Sequence, residues 1–354
     1  MRLRRFRVLG LALSLLLLLA ACGGDDEAAE PEATEPAAAE DTEAEGEEEM
    51  AAATVGADAA GVQELRDAGT VRVGIKYDQP LYGLQSPQGV EGFDAEIAKL
   101  IVEGIFADGD PDSHIEFVEA VSANREPFLQ NNEVDMVIAT YTINDERDEI
   151  VDFAGPYYQT GQQLMVPEGN PEGIESVDDL NTPDLTTCSV EGSTSLQNFE
   201  EAAPEGETLV FDSYSRCAEA MNDGRVDATT TDGAILFGLV DEFGGFEVVG
   251  DEFSDEPYGV GLPEGATDVR LFINERICQV QESGEWAQAF EDTVGVVAET
   301  PEPPPIDTER YDETFPEGSE CPQATDAGGA TDTGTETEMD AATDAETEPM
   351  EAGS

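Results

Sequence analysis

Positive charge is scarce in this 354-residue chain, which has 15 lysines and arginines against 81 aspartates and glutamates and a formal net charge of −66. Nucleic-acid binding needs a concentrated basic surface, because contacts between Lys or Arg and phosphates supply most of the non-specific affinity. Docking flat on an anionic lipid surface has the same requirement. The charge balance therefore excludes a nucleic-acid-binding face and argues against docking flat on anionic lipid.

Metal-binding side chains are also rare: there is one histidine, His114, and none of the five cysteines belongs to a Cys-x-x-Cys pair. A zinc site needs several such ligands at characteristic spacing, and no EF-hand loop is present. His114 falls in a predicted strand without a neighbouring catalytic group, although general acid–base catalysis needs a positioned acid or base. We predict a protein that has no metal or cofactor and is not an enzyme.

The one long apolar run, residues 8–21, has 14 residues and is shorter than the roughly 20 that a membrane-spanning helix needs. Four arginines precede it and small residues end it, a pattern that predicts a secretory signal peptide over residues 1–22. The ending LAAC resembles a bacterial lipobox, which implies lipid attachment at Cys22 and anchoring on the extracellular face of the cell membrane. The alternative is a plain signal peptide with a cysteine nearby by chance.

Two segments contain no Lys or Arg: residues 23–53, with 13 acids, and residues 322–354, with 9 acids. Neither can bury enough apolar surface to offset the entropy of ordering the chain. We predict a disordered acidic tether over residues 23–60 and a disordered acidic tail over residues 322–354. The acids between these segments are scattered over predicted helix faces, which is typical of a solvated surface.

Four cysteines remain beyond Cys22, an even number in an exported chain, and they favour two disulfides. Three pairings are possible. Proximity in the sequence favours Cys188 with Cys217 and Cys278 with Cys321. The alternative is a set of buried free thiols.

Strand-like and helix-like segments alternate from residue 71 onward, in two sets. The first set consists of strands at 71–76, 114–119 and 134–140 and helices at 92–106 and 124–133. This βαβαβ order predicts a mainly parallel sheet with right-handed crossovers. A similar set follows, and strand-like segments near 160–166 and 257–262 join the two. The pattern predicts an α/β fold with two lobes: lobe 1 from residues 61–160 plus 258–321, and lobe 2 from residues 161–257. A ligand is expected in the cleft between them.

Five blocks of this pattern stand out together: GFDAEIAKLI, NREPFLQNNEVDMVIATYTINDERDEIVDFAGPYY, GSTS, GRVDATTTDGAILFG and YGVGLP. They resemble the family 3 extracellular solute-binding proteins of amino-acid ABC importers, and most of all actinobacterial glutamate-binding lipoproteins. The resemblance covers about residues 62–300, although Ala95 stands where a larger aliphatic residue is usual. It implies a type II periplasmic-binding-protein-like fold with two hinge strands, a membrane ABC permease as partner, and a monomer.

The resemblance implies that Arg147 holds the α-carboxylate of an amino acid, with Thr140 and Thr142 as further ligand contacts. A guanidinium suits this task because it binds both carboxylate oxygens in one plane and stays charged. Four acids flank Arg147, so the alternative is a surface ion pair of little energetic value. We expect these acids to point to solvent and Arg147 to point inward.

In lobe 2 the resemblance implies that Gly192, Ser193 and Thr194, at the start of a helix, bind the same carboxylate, because a helix N-terminus is favourable for an anion. Asp232 matches the acid that binds the ligand ammonium. The alternative for both positions is an ordinary helix N-cap.

The ligand side chain depends on two further cations. The chain has only two lysines, and the resemblance places a cation at Lys76 and an arginine at Arg125 in glutamate and aspartate binders. Two cations beyond Arg147 imply a second ligand carboxylate, and therefore L-glutamate. The alternative for Arg125 is a surface ion pair. Tyr77 or Tyr82 would pack on the aliphatic part of the ligand.

These inferences predict a lipid-anchored extracellular binding protein that captures an acidic amino acid for an ABC importer. Aspartate, glutamine or another polar amino acid remain alternative ligands. A sensory binding module, and an exported dehydratase on the same fold, remain alternative functions.

Overall fold

The computed structural model describes residues 59–311. The predicted signal peptide, Cys22, nearly all of the predicted tether, the acidic tail and Cys321 lie outside these residues. Within the described range, none of the helices combines the length and the apolar character needed to span a bilayer.

The secondary structure alternates as the sequence predicts. The strands are β1 (Val71–Ile75), β2 (Asp78–Gln79), β3 (Gly83–Ser86), β4 (Gly89–Glu91), β5 (Ile115–Glu119), β6 (Met136–Val137), β7 (Val151–Thr160), β8 (Gln162–Pro167), β9 (Thr186–Val190), β10 (Glu207–Phe211), β11 (Ala228–Asp232), β12 (Phe246–Val249) and β13 (Glu256–Pro263). The α-helices are α1 (Ala60–Ala68), α2 (Phe93–Phe106), α3 (Arg125–Gln130), α4 (Asp145–Asp148), α5 (Thr194–Ala202), α6 (Tyr214–Asn222), α7 (Gly233–Phe243), α8 (Thr267–Ser283) and α9 (Glu285–Thr293).

Two five-stranded sheets share one plan, with the strand orders β5-β1-β6-β13-β7 and β10-β9-β11-β8-β12. In each sheet the first three strands are parallel, the fourth is antiparallel to the third, and the fifth is antiparallel to the fourth. Four of the five strands in each sheet therefore point the same way. This arrangement confirms the predicted mainly parallel sheets and the two-lobe fold.

Each sheet carries apolar clusters that pack against its helices. In α2, for example, Ile97, Ile101 and Ile105 recur every four residues and are all buried, so this helix presents one apolar stripe to the first sheet. A separate cluster around Val190 and Leu236 forms the main core of the second sheet. The two sheets therefore have independent cores, as two lobes require.

The chain passes between the sheets twice, first at residue 161 between β7 and β8, and again at residues 250–255 between β12 and β13. Strands β7 and β13 pair with each other along most of their length. We use lobe 1 for the part built on the first sheet and lobe 2 for the part built on the second. We propose that the boundaries predicted from the sequence delimit these lobes.

Some elements differ from prediction. A small sheet of order β2-β3-β4 and the single-turn helix α4 were not predicted. Strand β6 is shorter than the predicted strand at 134–140, because Thr140 adopts a left-handed backbone with φ of 43° and the chain leaves the sheet before it. Helix α1 begins at Ala60, the last residue of the predicted tether.

The Cys188–Cys217 disulfide, favoured from sequence proximity, is present and joins β9 to α6 inside lobe 2. Cys278 is also disulfide-bonded. Its predicted partner, Cys321, lies outside the described residues.

Candidate ligand-binding site

Arg147 lies on α4, a single helical turn between β6 and β7 of the first sheet. The N-cap residue Asn144 accepts a hydrogen bond from the Arg147 N–H at 2.9 Å, which fixes the start of the turn. Of the four acids expected to point to solvent, Asp145, Glu146 and Glu149 are exposed, but Asp148 is half-buried and accepts a hydrogen bond from the Tyr311 hydroxyl. The Arg147 side chain is buried. The guanidinium therefore points inward, as the sequence analysis expects.

Two partners within lobe 1, Thr142 and Glu126, hold the Arg147 guanidinium by hydrogen bonds. It donates to the carbonyl of Thr142 at 2.6 Å, and its Nε lies 3.1 Å from a carboxylate oxygen of Glu126. Sequence reasoning missed Glu126, which lies 21 residues earlier on α3. Burial lowers the pKa of Arg147, and the neighbouring Arg125 adds to this effect, but a guanidinium remains charged at neutral pH.

Arg125 lies beside Arg147 and is 2% exposed. It donates to the carbonyls of Ala139 and Thr140 at 3.3 and 3.2 Å. The ring of Tyr141 stacks against both guanidiniums, and its centroid lies 4.4 Å from Cζ of Arg125 and 4.9 Å from Cζ of Arg147. A cation–π contact of this kind stabilises buried positive charge without neutralising it.

Lys76, at the end of β1, is the third buried cation and is also 2% exposed. Its Nζ donates to Ser122 Oγ at 2.8 Å. Burial lowers the pKa of Lys76 to about 7, and repulsion by Arg125 contributes. Among residues 59–311, no carboxylate oxygen lies within 4.0 Å of Lys76 or Arg125. Two buried cations thus lack an anionic partner in the described part of the chain.

Two buried carboxylates form the opposite half of the site. Asp232 accepts hydrogen bonds from Ser195 Oγ at 3.1 Å and from the Tyr258 hydroxyl at 2.6 Å. It occupies the N-cap position of α7, but its side chain makes no capping hydrogen bond, so it is available to the site. Burial raises the pKa of Asp232 to about 7, and the nearby charge of Glu256 adds to the rise.

Glu256, at the start of β13, is the second of these carboxylates and is 1% exposed. Sequence reasoning missed it because it is the last residue of the acid-rich run GDEFSDE and looks there like another solvated acid. Its Oε2 accepts from Thr142 of lobe 1 and from Thr194 of lobe 2. The two threonine hydroxyls lie 3.4 Å apart, so the structure brings both predicted positions together.

The loop before α5 brings lobe 2 against the cations. The Gly192 carbonyl accepts from Arg125 at 3.2 Å and from Arg147 at 3.3 Å. Gly192 has φ of +75°, and a Cβ added there would lie 2.6 Å from Cα of Ala123 in lobe 1. Only glycine fits this approach. A groove of about 610 Å³ is lined by Arg147 and by residues 192–194. Lys76, Arg125, Asp232 and Glu256 do not line it, so the groove lies beside the buried charges and does not enclose them.

Ser193 uses its hydroxyl in a helix cap. Its Oγ accepts from the Leu196 N–H at 3.0 Å and donates to the Val190 carbonyl at 2.7 Å. The N-cap alternative therefore describes the Ser193 side chain. The backbone N–H groups in the first turn of α5 remain available to bind an anion.

Thr140 and Tyr77 make their side-chain contacts elsewhere. The Thr140 hydroxyl donates to Gln79 Oε1 at 2.9 Å, so its carbonyl is the group that faces Arg125. The Tyr77 hydroxyl donates to the Phe117 carbonyl at 2.9 Å, and its ring packs against the cluster that includes Ile75. No contact recorded within residues 59–311 joins Tyr77 to the three cations.

The lobes also meet on the other side of the cleft. Asp78 of lobe 1 accepts a hydrogen bond from the Tyr214 N–H at the start of α6, at 2.9 Å. A Cβ added at Gly238 in α7 would lie 2.4 Å from the Pro80 carbonyl oxygen. The structure therefore shows the two lobes closed on each other.

Two α/β lobes, joined by two crossing segments and closed around buried charges of both signs, define a solute-binding protein of the type II periplasmic class. The chain belongs to the bacterial extracellular solute-binding proteins, family 3, whose profile matches residues 71–295.

Known proteins support this assignment. The chain is 37% identical to the ABC transporter glutamine-binding protein GlnH of Bacillus subtilis over 228 residues, which cover 64% of this chain and 81% of GlnH. It is 40% identical to the glutamate-binding protein GluB of Corynebacterium glutamicum over 235 residues, which cover 64% of this chain and 79% of GluB. The crystal structure of a solute receptor for L-cysteine from Neisseria gonorrhoeae aligns with a TM-score of 0.62 and 31% identity, covering 67% of this chain and 94% of the receptor.

Proposed function

We propose that this protein is a lipid-anchored extracellular binding protein that captures L-glutamate and delivers it to an ABC permease. One observation carries the proposal: the buried cations Lys76, Arg125 and Arg147 lie opposite the buried carboxylates Asp232 and Glu256, and within residues 59–311 neither Lys76 nor Arg125 has a carboxylate oxygen within 4.0 Å. The buried carboxylate of Asp94 attracts both cations electrostatically but makes no ion pair with either. Buried charges need partners. A ligand with two carboxylates and one ammonium supplies partners for both halves of the site.

The roles follow from position. Arg147 and the start of α5 hold the α-carboxylate, and Asp232 binds the ammonium. Lys76 and Arg125 hold the γ-carboxylate. The aliphatic part of the ligand packs on Tyr82, whose ring contacts Tyr258, and not on Tyr77.

Relatives of this chain include binders of glutamate and of glutamine. The part of the site that contacts the ligand side chain therefore determines which of the two is preferred. An amide carries no charge and would leave Lys76 and Arg125 without an anion. The two cations therefore favour glutamate over glutamine. Lipid anchoring rests on the LAAC ending at Cys22.

Closure would couple binding to transport. Ligand contacts to both lobes exist only in the closed form, so the ligand shifts the population toward that form. Arg125 and Arg147 of lobe 1 also reach the Gly192 carbonyl of lobe 2, so the proposed ligand-binding cations take part in closure themselves. The permease would then recognise the closed protein.

Titration calorimetry on Lys76→Met and Arg125→Met variants tests the ligand assignment. Each variant should lose at least tenfold in L-glutamate affinity and much less in L-glutamine affinity, since only glutamate carries the second charge. Lys99→Met is the matched control, because Lys99 pairs with Glu96 on the surface of α2. Equal losses for both ligands would show that these cations do not read a carboxylate.

A further inference from the structure

Glu256 is a buried carboxylate satisfied by neutral donors. Its Oε2 accepts from Thr142 Oγ1 at 2.6 Å and Thr194 Oγ1 at 2.8 Å. Its Oε1 accepts from Ser254 Oγ at 2.7 Å and Asn198 Nδ2 at 3.0 Å. Within the described part of the chain, no Lys, Arg or His nitrogen lies within 4.0 Å of it. Its negative charge is therefore hydrogen-bonded but not neutralised.

These bonds fix the direction of two hydroxyl protons. A hydroxyl has one proton to donate and two lone pairs that accept. An ionised carboxylate can only accept, so Thr142 and Thr194 both give their protons to Glu256. Each oxygen is then left with acceptor capacity alone. Such oxygens suit an ammonium, which has three N–H donors, and do not suit a carboxylate.

We propose that Glu256 is a positioning residue that makes the Thr142 and Thr194 hydroxyls acceptors for the ligand α-ammonium. The inference rests on the proposed function, since it assigns one end of the same ligand. It also changes the role of Thr194: its hydroxyl reads the ammonium, and only its backbone N–H remains for the α-carboxylate.

The arrangement links ammonium recognition to closure. Thr142 belongs to lobe 1, whereas Thr194 and Asn198 lie on α5 of lobe 2. Glu256, on the strand that returns from lobe 2, reaches both sides. The pair of acceptors 3.4 Å apart therefore exists only when the lobes are closed. An amino acid that supplies the ammonium stabilises that closed pair.

The test compares L-glutamate with glutarate, which has the same carbon chain and both carboxylates but no ammonium. Glu256→Gln should weaken L-glutamate and L-glutamine binding at least tenfold and change glutarate binding by less than about twofold. The exposed neighbour Asp255 provides a control, because Asp255→Asn removes the same charge without touching the site. Thr194→Val, which removes one acceptor and keeps the side-chain shape, should show the same selective loss.

The outcomes separate the two proposals. Equal weakening of glutamate and glutarate in both variants would assign Glu256 a structural role and overturn the inference. Unchanged glutamate affinity would also overturn it. A wild-type protein that binds no amino acid would overturn the proposed function, and this inference with it.

Discussion

Lys76 makes glutamate binding depend on pH in a way that glutamine binding does not. In the free protein, burial and the nearby Arg125 lower the pKa of Lys76 to about 7. A ligand carboxylate beside Nζ favours the charged form and raises this pKa toward the ordinary value of about 10.4. The complex therefore holds a proton that the free protein releases as the pH rises above 7.

The size of the effect follows from the pKa. At pH 9, two units above the pKa of about 7 in the free protein, charging Lys76 costs about 2.7 kcal/mol. The contribution of Lys76 to glutamate affinity should be full well below pH 7, and its loss should weaken binding about 100-fold at pH 9. Glutamine has no side-chain charge to pair with Lys76, so its affinity should not fall when Lys76 loses its proton.

Above pH 7 the ratio of the two affinities isolates Lys76. Burial raises the pKa values of Asp94 and Asp232 to about 7, so both carboxylates lose charge as the pH falls below that value. Loss of the Asp232 charge weakens both ligands, because both carry the α-ammonium. Protonation of Asp94 removes a negative charge that competes with the γ-carboxylate for Lys76 and Arg125, so it favours glutamate. The glutamate-to-glutamine ratio should therefore be highest below pH 7 and fall above it.

Titration calorimetry of both ligands between pH 6 and 9 measures this ratio, and buffers of different ionisation enthalpy count the protons taken up. Proton uptake near one per glutamate is expected at pH 8 to 9. Lys76→Met should abolish the fall of the ratio above pH 7, and Lys99→Met should keep it. A ratio that does not change between pH 7 and 9 would refute the reasoning.

Three further predictions concern closure, stability and the C-terminal segment. Gly192→Ala places a Cβ 2.6 Å from Ala123 Cα, so the closed form should lose about 1–3 kcal/mol of stability. L-Glutamate affinity, measured by calorimetry, should fall about 5- to 150-fold, and an unchanged affinity would contradict the observed closure. Replacing Cys188 and Cys217 by serine removes a cross-link between residues 29 positions apart. The free energy of unfolding, measured by urea denaturation, should fall by about 3–4 kcal/mol, and a fall of less than about 1 kcal/mol would contradict a stabilising role for this disulfide. Arg310 lies beyond the residues matched by the family profile and pairs with Asp145 and Asp148 of α4, the helix that carries Arg147. Arg310→Ala should weaken the binding of glutamate and of glutamine equally, by less than about fivefold, and a change in the ratio of the two affinities would contradict a purely supporting role for Arg310.

The sequence allowed the order of elements and the inward direction of Arg147 to be predicted. Periodicity marked the helices because their apolar stripes face the sheets, as in α2. Arg147 could be singled out because cations are so rare that each one needs a reason. Gly192 could be identified because it opens a helix directly after a strand.

The acids that contribute to the site could not be predicted from the sequence. Acids are numerous, so nothing in the sequence distinguishes Glu126 or Glu256 from solvated neighbours. Their roles depend on contacts across the fold: Glu256 meets Thr142 over a separation of 114 residues. The Thr140 hydroxyl turns away from the cations for the same kind of reason, because Gln79 lies within reach only after folding.

The central claim is that this site reads two carboxylates and one ammonium. Calorimetry of the wild-type protein against the twenty amino acids tests it most directly. L-Glutamate should bind most tightly, with L-aspartate and L-glutamine weaker and the apolar amino acids weaker still. No heat with L-glutamate, or equal affinity for a neutral amino acid, would contradict the claim.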